Sequence, residues 1–176
     1  MNIHLTKIEE KDMEYIYKWL SDSEFLKYYD YYPPVPQSKK DVDKTFHYYE
    51  NSGKSKVFAV KNESQIIGIA GFDDIIKENA VATLFIGLGE KSIHGKGYGT
   101  ETMKLLLNYG FNELNLHRIQ LNVLSFNDRA IALYEKFGFK KEGALREFVL
   151  RDGKRYDLFF YGLLKHEWKI HIKKGP

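Results

Sequence analysis

The alternation of apolar and polar residues divides the first part of the chain into a strand and two helices. Residues 3–8 alternate and predict a strand, and apolar side chains recur at helical spacing over 9–20. The tyrosine- and proline-rich stretch 28–36 cannot continue a regular helix, so it is predicted to be an ordered loop. A second helix is expected over 39–51, where a serine precedes the first turn and a glycine follows the last.

A hairpin and a buried strand are predicted next. Two runs rich in β-branched and aromatic residues, 57–60 and 66–72, are separated by a polar, turn-like stretch. The run 80–88 is mostly apolar, which favours a strand buried on both faces. It leads to the glycine-rich stretch 95–99, where the longest helix begins with an apolar stripe that reaches Leu114.

The last third of the chain predicts three more strands and one helix. A strand over 117–124 is followed by a helix over 129–137 that ends at a glycine. Two strands, near 147–151 and 156–164, are joined by an Asp-Gly turn and form a hairpin. The lysine-rich segment 165–176 is expected to be solvated.

Composition restricts the class of protein further. With 176 residues, of which 43% are hydrophobic, the chain is predicted to fold as a single domain, 1–176. The absence of cysteine excludes disulfides, thiol nucleophiles and cysteine metal sites, and no metal site is predicted. A net charge of +3 argues against a general nucleic-acid binder. No apolar run is long enough for a membrane span and no signal peptide is evident, so a cytoplasmic protein without a membrane partner is expected.

The glycine-rich turn is the strongest candidate for a ligand site. It reads His94-Gly95-Lys96-Gly97-Tyr98-Gly99-Thr100 and lies between a predicted strand and a predicted helix. Glycines let a ligand approach the backbone closely, and the unpaired amides at a helix start bind phosphate. The spacing fits neither the P-loop nor the dinucleotide fingerprint. A plain tight turn and another nucleotide-dependent enzyme remain alternatives.

A second candidate element follows one strand later. Asn127 lies at a predicted helix start, and Tyr134 lies two turns further along the same side. Taken alone, Asn127 is explained by helix capping and Tyr134 by packing.

Together, the two elements resemble the GNAT superfamily of N-acetyltransferases. The family's pyrophosphate loop follows the pattern Arg/Gln-x-x-Gly-x-Gly/Ala, which His94 to Gly99 matches except at His94. The family's later segment, an Asn and then a short helix that contains Tyr and ends in Gly-Phe, matches Asn127 to Phe139. The resemblance covers nearly the whole chain and is strongest to the ribosomal-protein N-terminal and polyamine acetyltransferases.

The resemblance implies an α/β (α+β) fold and a cofactor. The expected sheet is mixed and mostly antiparallel, flanked by helices, with one parallel strand pair, 83–89 and 118–124, that splays apart. Acetyl-CoA is the implied cofactor; its pantetheine arm would enter the splay, and Tyr134 would act as the acid that protonates the departing thiolate. The implied cofactor-binding residues are Leu88, Gly89, His94, Gly95, Lys96, Gly97, Tyr98, Gly99, Thr100, Asn127, Ala130, Tyr134 and Lys136.

The acceptor side is less defined in the sequence. The acceptor is expected to be a primary amine: a peptide N-terminus, a polyamine or an aminoglycoside-like compound. Tyrosines and carboxylates over 28–50 suit a cationic amine, although packing of the loop explains them as well. The candidate general bases are Asp73, Asp74, Glu101 or an ordered water. A homodimer is possible, and a non-catalytic coenzyme A sensor or scaffold is the alternative function.

Overall fold

The computed structural model describes residues 1–168, apart from the side chain of Lys91. Within these residues seven strands form one sheet in the order β1-β2-β3-β4-β5-β7-β6. Neighbouring strands are antiparallel except β4 and β5, which are parallel, so the predicted mixed, mostly antiparallel sheet is confirmed. The strands are β1 (Ile3–Thr6), β2 (Lys56–Asn62), β3 (Gln65–Ile76), β4 (Val81–Leu88), β5 (Arg118–Leu124), β6 (Lys140–Arg151) and β7 (Lys154–Leu164).

Helices cover both faces of this sheet, as predicted. Three of them, α1 (Met13–Leu20), α2 (Ser23–Tyr29) and α3 (Lys39–Asn51), pack on one face and form a cluster around Ile69 of β3. The other face carries α4 (Tyr98–Asn108) and α5 (Asp128–Lys136), which build the larger cluster. Because adjacent strand residues point to opposite faces, β3 contributes to both clusters. No helix in the described part of the chain is long and apolar enough to cross a membrane.

The tyrosine-rich stretch begins inside a helix, so the prediction of a loop from residue 28 is wrong at its start. The Asp22 side chain accepts a hydrogen bond from Glu24 N and caps α2, which ends only at Tyr29. Phe25, Leu26 and Tyr29 give this short helix its apolar side. The first proline is Pro33, so the prolines prevent a helix only in the part of the stretch that follows α2.

Several predicted boundaries also differ from the structure. The strand over 3–8 ends at Thr6, and the helix over 9–20 begins as a 3₁₀ turn at Glu10–Asp12. β6 begins at Lys140 instead of near 147, because its first half is an exposed edge strand without the apolar alternation that predicts strands.

β4 differs from the prediction of a strand buried on both faces. It starts at Val81, after Ala80 in the left-handed conformation (φ 51°), and its residues alternate between buried and half-buried. Three of the half-buried residues, Phe85, Ile86 and Leu88, lie beyond Thr83, where β4 no longer pairs with β5.

The start of the C-terminal segment is packed against the core. Residues 165–168 are helical, and Trp168 stacks on Phe111 with ring centroids 5.1 Å apart. The prediction that 165–176 is solvated is therefore wrong for Trp168, and residues 169–176 lie outside the described part.

Candidate active site

The central feature of the site is a gap between β4 and β5. The two strands pair only at Val81↔Arg118, Ala82↔Ile119 and Thr83↔Gln120. β4 continues to pair with β3 as far as Leu88, and β5 continues to pair with β7 as far as Leu124. Each strand is thus fixed on its outer side while the inner sides separate. An extended ligand arm can enter there and bond to backbone, as the predicted splay requires.

The pleat of β4 decides which backbone groups face this gap. Gly89 N donates to Ile67 O at 3.0 Å, so Gly89 directs its amide toward β3. Because direction alternates along an antiparallel pair, Ile86 and Leu88 direct their backbone groups toward the gap. The sequence predicts both Leu88 and Gly89 as backbone partners of the cofactor; the structure places Leu88 at the gap and engages the Gly89 amide elsewhere.

Gly89 is required for the packing of α1, and the backbone of Leu88 contacts His94 of the glycine turn. A Cβ on Gly89 would lie 2.2 Å from atoms of the Trp19 indole, so only glycine lets α1 pack on this strand end. His94 Nε2 lies 3.3 Å from Leu88 O. The half-buried His94 therefore contacts the backbone of the gap instead of projecting freely from the turn.

The glycine turn ends in a helix start whose amides are available. Gly95 (φ 75°) and Gly97 (φ 87°) occupy the left-handed region, where other residues are strained. Gly97 is the N-cap of α4 and provides no side-chain cap; among the described residues no backbone acceptor pairs with the amides of Tyr98, Gly99 or Thr100. Three unpaired amides and the positive end of the helix dipole form an anion site.

α5 lies against this turn. A Cβ on Gly99 would lie 3.4 Å from Leu133 Cδ2, which shows how closely the two helices approach. Half-buried Ala130 and exposed Lys136 lie one turn before and after Leu133 on the same side of α5, and exposed Lys96 lies in the turn itself. The predicted cofactor residues of the two elements therefore face a common region.

Asn127 caps α5 and contacts the helix that covers the other face of the sheet. Its Oδ1 accepts from Ala130 N at 3.3 Å, and its Nδ2 donates to Tyr28 O at 3.4 Å. The capping interpretation is therefore correct for the Oδ1 atom. The second bond links the start of α5 to the end of α2.

Tyr134 is buried in the larger core cluster and is 7% exposed. Its ring meets Phe139 edge-on, with centroids 6.0 Å apart, and its hydroxyl has no hydrogen-bond partner among the described residues. Burial raises the pKa of Tyr134 to about 12, so the hydroxyl keeps its proton at neutral pH. A neutral phenol without a fixed partner can donate a hydrogen bond to a ligand, and its raised pKa makes it a weaker acid than an exposed tyrosine.

The opposite face of the same strands forms an aromatic recess. On β4 the side chains of Thr83 and Phe85 and the backbone of Gly87 lie on this face. Phe85 stacks on Tyr49 of α3 with centroids 6.2 Å apart. A Cβ on Gly87 would lie 2.6 Å from the Tyr29 ring, so this glycine allows the α2 tyrosine to approach the strand.

Two carboxylates share this recess with the tyrosines. Burial raises the pKa of Tyr29 well above its ordinary value, and the charges of Asp30 and Asp73 act in the same direction. Burial together with the charges of Asp73 and Asp30 raises the pKa of Tyr49 to about 12. Burial also raises the pKa of Asp30. Tyr29, Tyr49 and Asp73 lie on this face beside Gly87, Phe85 and Thr83 of β4, and Asp30 directly follows Tyr29; we call these four side chains the acidic recess.

The three candidate bases lie in different places. Asp73 lies opposite Thr83 at the start of the gap, and its Oδ1 accepts from Ser55 Oγ at 2.6 Å. Asp74 is exposed and in the left-handed region (φ 49°). Glu101 pairs with Lys104 at 2.8 Å beside the N-terminal strand, on the other side of the sheet. Of the three carboxylates, Asp73 is the one placed in the acidic recess.

A polar row crosses this face where β4 and β5 part, and the sequence does not predict it. Gln120 Nε2 donates to Thr83 Oγ1 at 3.4 Å, and Arg118 Nε donates to Gln120 Oε1 at 3.3 Å. Thr83 pairs in register with Asp73, so the row continues across three strands. Its only signal in the sequence is the polar residue at every second position of β5, which does not reveal the partner strands.

Comparison with known proteins identifies relatives over nearly the whole chain. A family model described as "Acetyltransferase (GNAT) domain" matches residues 2–140. N-acetyltransferase p20 of Bacillus licheniformis is 33% identical over 167 residues, 93% of each chain. The spermidine N(1)-acetyltransferase of Escherichia coli K12 is 25% identical over 174 residues, 98% of this chain and 91% of the relative.

A solved structure is similar over the same extent. Spermidine N-acetyltransferase from Vibrio cholerae, in complex with CoA and spermine, superposes with a TM-score of 0.87 at 24% identity and covers 96% of this chain and 98% of the other. At this identity the similarity shows that the two chains share a fold.

Proposed function

We propose that this chain, which belongs to the GNAT family of acetyltransferases, transfers the acetyl group of acetyl-CoA to a primary amine that carries additional positive charge. The family makes the chain an acetyl-CoA-dependent N-acetyltransferase, so the alternative of a non-catalytic sensor is not retained. The charge on the amine and direct transfer between two bound substrates are our proposals. The acidic recess, in which Tyr29 and Tyr49 contact β4 beside Asp30 and Asp73, is the observation that carries them.

The described residues fit acetyl-CoA on the side of α4 and α5. The unpaired amides at the start of α4 suit its pyrophosphate, with Lys96 and Lys136 nearby as counter-charges. The backbone of Leu88 suits the extended pantetheine arm. Acetyl-CoA supplies an activated acyl group, and buried Tyr134 holds the proton that its thiol needs on departure.

The acidic recess suits the amine. A cation gains from aromatic faces and from Asp30 and Asp73 in a partly desolvated pocket, whereas a neutral tail does not. Asp73 is the candidate base nearest the gap, either directly or through a water. Because the chain has no cysteine, no thiol intermediate is available, which supports direct transfer.

An amine panel tests this function. Release of free thiol is measured with acetyl-CoA and spermidine, 1,4-diaminobutane, butylamine, an aminoglycoside or a peptide with a free N-terminus. We expect kcat/KM for the polycationic amines to exceed that for butylamine by about tenfold or more. Equal rates for butylamine would reject the proposed role of the recess, and a parallel-line initial-velocity pattern would reject direct transfer.

Two other expectations from the sequence stay predictions: the homodimer and the cytoplasmic location. The mass of the protein in solution tests the first, and localisation of the tagged full chain tests the second.

A further inference from the structure

Arg151 is a buried arginine outside the residues assigned above. It ends β6 at the tip of the β6–β7 hairpin and is 4% exposed. Its guanidinium donates from Nη1 to Leu150 O at 2.9 Å, and from Nη2 to Asp30 O at 2.9 Å and Tyr32 O at 2.6 Å. One planar group thus joins the hairpin to the loop that follows α2.

The loop that Arg151 holds carries Asp30, one of the four side chains of the acidic recess. The Asp30 carboxylate accepts from Tyr31 N at 2.6 Å, so its direction depends on the local backbone. Tyr31 also contacts Phe148 of the hairpin edge-on, with centroids 5.9 Å apart. Displacing the backbone at 30–32 would therefore move the Asp30 carboxylate, and Asp30 lines one cavity together with Tyr29.

Burying Arg151 also carries a cost. Arg151 carries a charge away from solvent, bonds only to carbonyl oxygens, and leaves its Nε–H without a partner among the described residues. A buried charge and an orphaned donor both cost folding free energy, and an apolar side chain would avoid the cost.

We infer that Arg151 is a positioning residue for the acceptor amine: by holding the carbonyls of Asp30 and Tyr32, it sets the position of the Asp30 carboxylate in the acidic recess. This inference rests on the proposed function, because it assumes that the recess binds the amine. It assigns Arg151 its main effect on the acceptor substrate, because the predicted acetyl-CoA residues lie in β4, the glycine turn and α5, and Asn127, which donates to Tyr28 O, bonds outside the segment 30–32 that Arg151 holds.

The test compares Arg151→Lys and Arg151→Met with the wild-type protein. Lysine keeps the charge but cannot span three carbonyls, and methionine removes every bond. We expect KM for the best amine to rise about tenfold or more for both variants, because charge-assisted bonds to the loop are lost. KM for acetyl-CoA should stay within about twofold. Arg155→Met is the matched control, since Arg155 is exposed in the same hairpin.

Hydrogen exchange provides a readout that does not depend on turnover. Peptides covering 23–33 should exchange faster in Arg151→Lys than in the wild type. Their exchange rate in Arg155→Met should equal that of the wild type. Unchanged exchange in a folded Arg151 variant, or equal rises of both KM values, would overturn the inference. If the wild type prefers neutral amines while exchange still rises, the proposed function fails and the structural part of the inference stands.

Discussion

The two sides of the β4–β5 gap are built in different ways. On the cofactor side, the residues come from two continuous pieces of chain, 88–100 and 127–136, and much of the chemistry comes from backbone amides at a helix start. On the acceptor side, the acidic recess takes side chains from α2, the loop after it, α3 and β3, with Arg151 of β6 bonded to that loop. The first side is specified by local sequence and the second by tertiary assembly.

This difference has a consequence for specificity. A turn of fixed backbone conformation recognises a group common to all substrates of the family, such as pyrophosphate. Side chains on separate elements can change one at a time without disturbing the fold, which suits recognition of a variable amine. Substitutions on the two sides should therefore affect different kinetic constants.

The largest expected effect is a loss of kcat on substitution of Tyr134, the predicted general acid. Tyr134→Phe keeps the ring against Phe139 but removes the hydroxyl. We expect kcat to fall about a hundredfold, because a general acid contributes on this scale, with KM for acetyl-CoA nearly unchanged. Steady-state thiol release measures both. An unchanged kcat would show that Tyr134 only packs, the interpretation that the sequence alone leaves open.

The glycine turn is expected to give the next largest effect. Gly97→Ala forces a Cβ into the left-handed region (φ 87°) at the cap of α4, which costs about 1 kcal/mol and displaces the amides proposed to bind the pyrophosphate. KM for acetyl-CoA should rise about tenfold while KM for the amine stays constant. Steady-state kinetics with each substrate varied in turn measures both constants.

Gly53→Ala is the matched control for that substitution. Gly53 also has a positive φ (65°) and no atom within 4 Å of an added Cβ, but it lies beyond the end of α3. Both variants should lose similar stability, and only Gly97→Ala should change acetyl-CoA binding. If Gly53→Ala raised that KM equally, general destabilisation would explain both results.

The features that the sequence predicts and those that it does not predict divide in the same way, between local and tertiary structure. The glycine turn and the capped start of α5 leave local signals, because each depends on nearby residues, whereas the parallel pair is expected only from the family resemblance. β6 could not be predicted from Lys140, because an exposed edge strand carries no apolar alternation. The contacts of Arg151 with Asp30 and Tyr32 join residues about 120 positions apart, and no spacing rule anticipates them.

A smaller effect is expected from a single charge of the acidic recess. Asp30→Asn keeps an acceptor for Tyr31 N but removes the negative charge. KM for a polycationic amine should rise about fivefold, since a partly screened charge contact contributes about 1 kcal/mol. Steady-state kinetics with spermidine and with butylamine measures this rise, and KM for butylamine should hardly change.

Asp43→Asn provides the control for charge alone. Asp43 is exposed on α3 and accepts a hydrogen bond from Tyr17, away from the recess. The Asp43→Asn substitution should leave KM for spermidine and KM for butylamine unchanged. Equal effects from Asp30→Asn and Asp43→Asn would mean that the amine senses only the overall field of the protein.

The smallest kinetic effect is expected from the ion cluster of Glu9, Lys11 and Lys61, which is remote from both sides of the β4–β5 gap. Hydrogen bonds from Lys11 and Lys61 lower the pKa of Glu9 to about 2. A lowered folded-state pKa stabilises the protein above the unfolded value near 4.5, and this contribution is lost as the pH falls toward 2. Glu9→Gln should therefore lower the melting temperature at pH 6 more than at pH 3, with both KM values unchanged. A shift in either KM would show that the position of α1, through Trp19 on Gly89, couples this cluster to the gap.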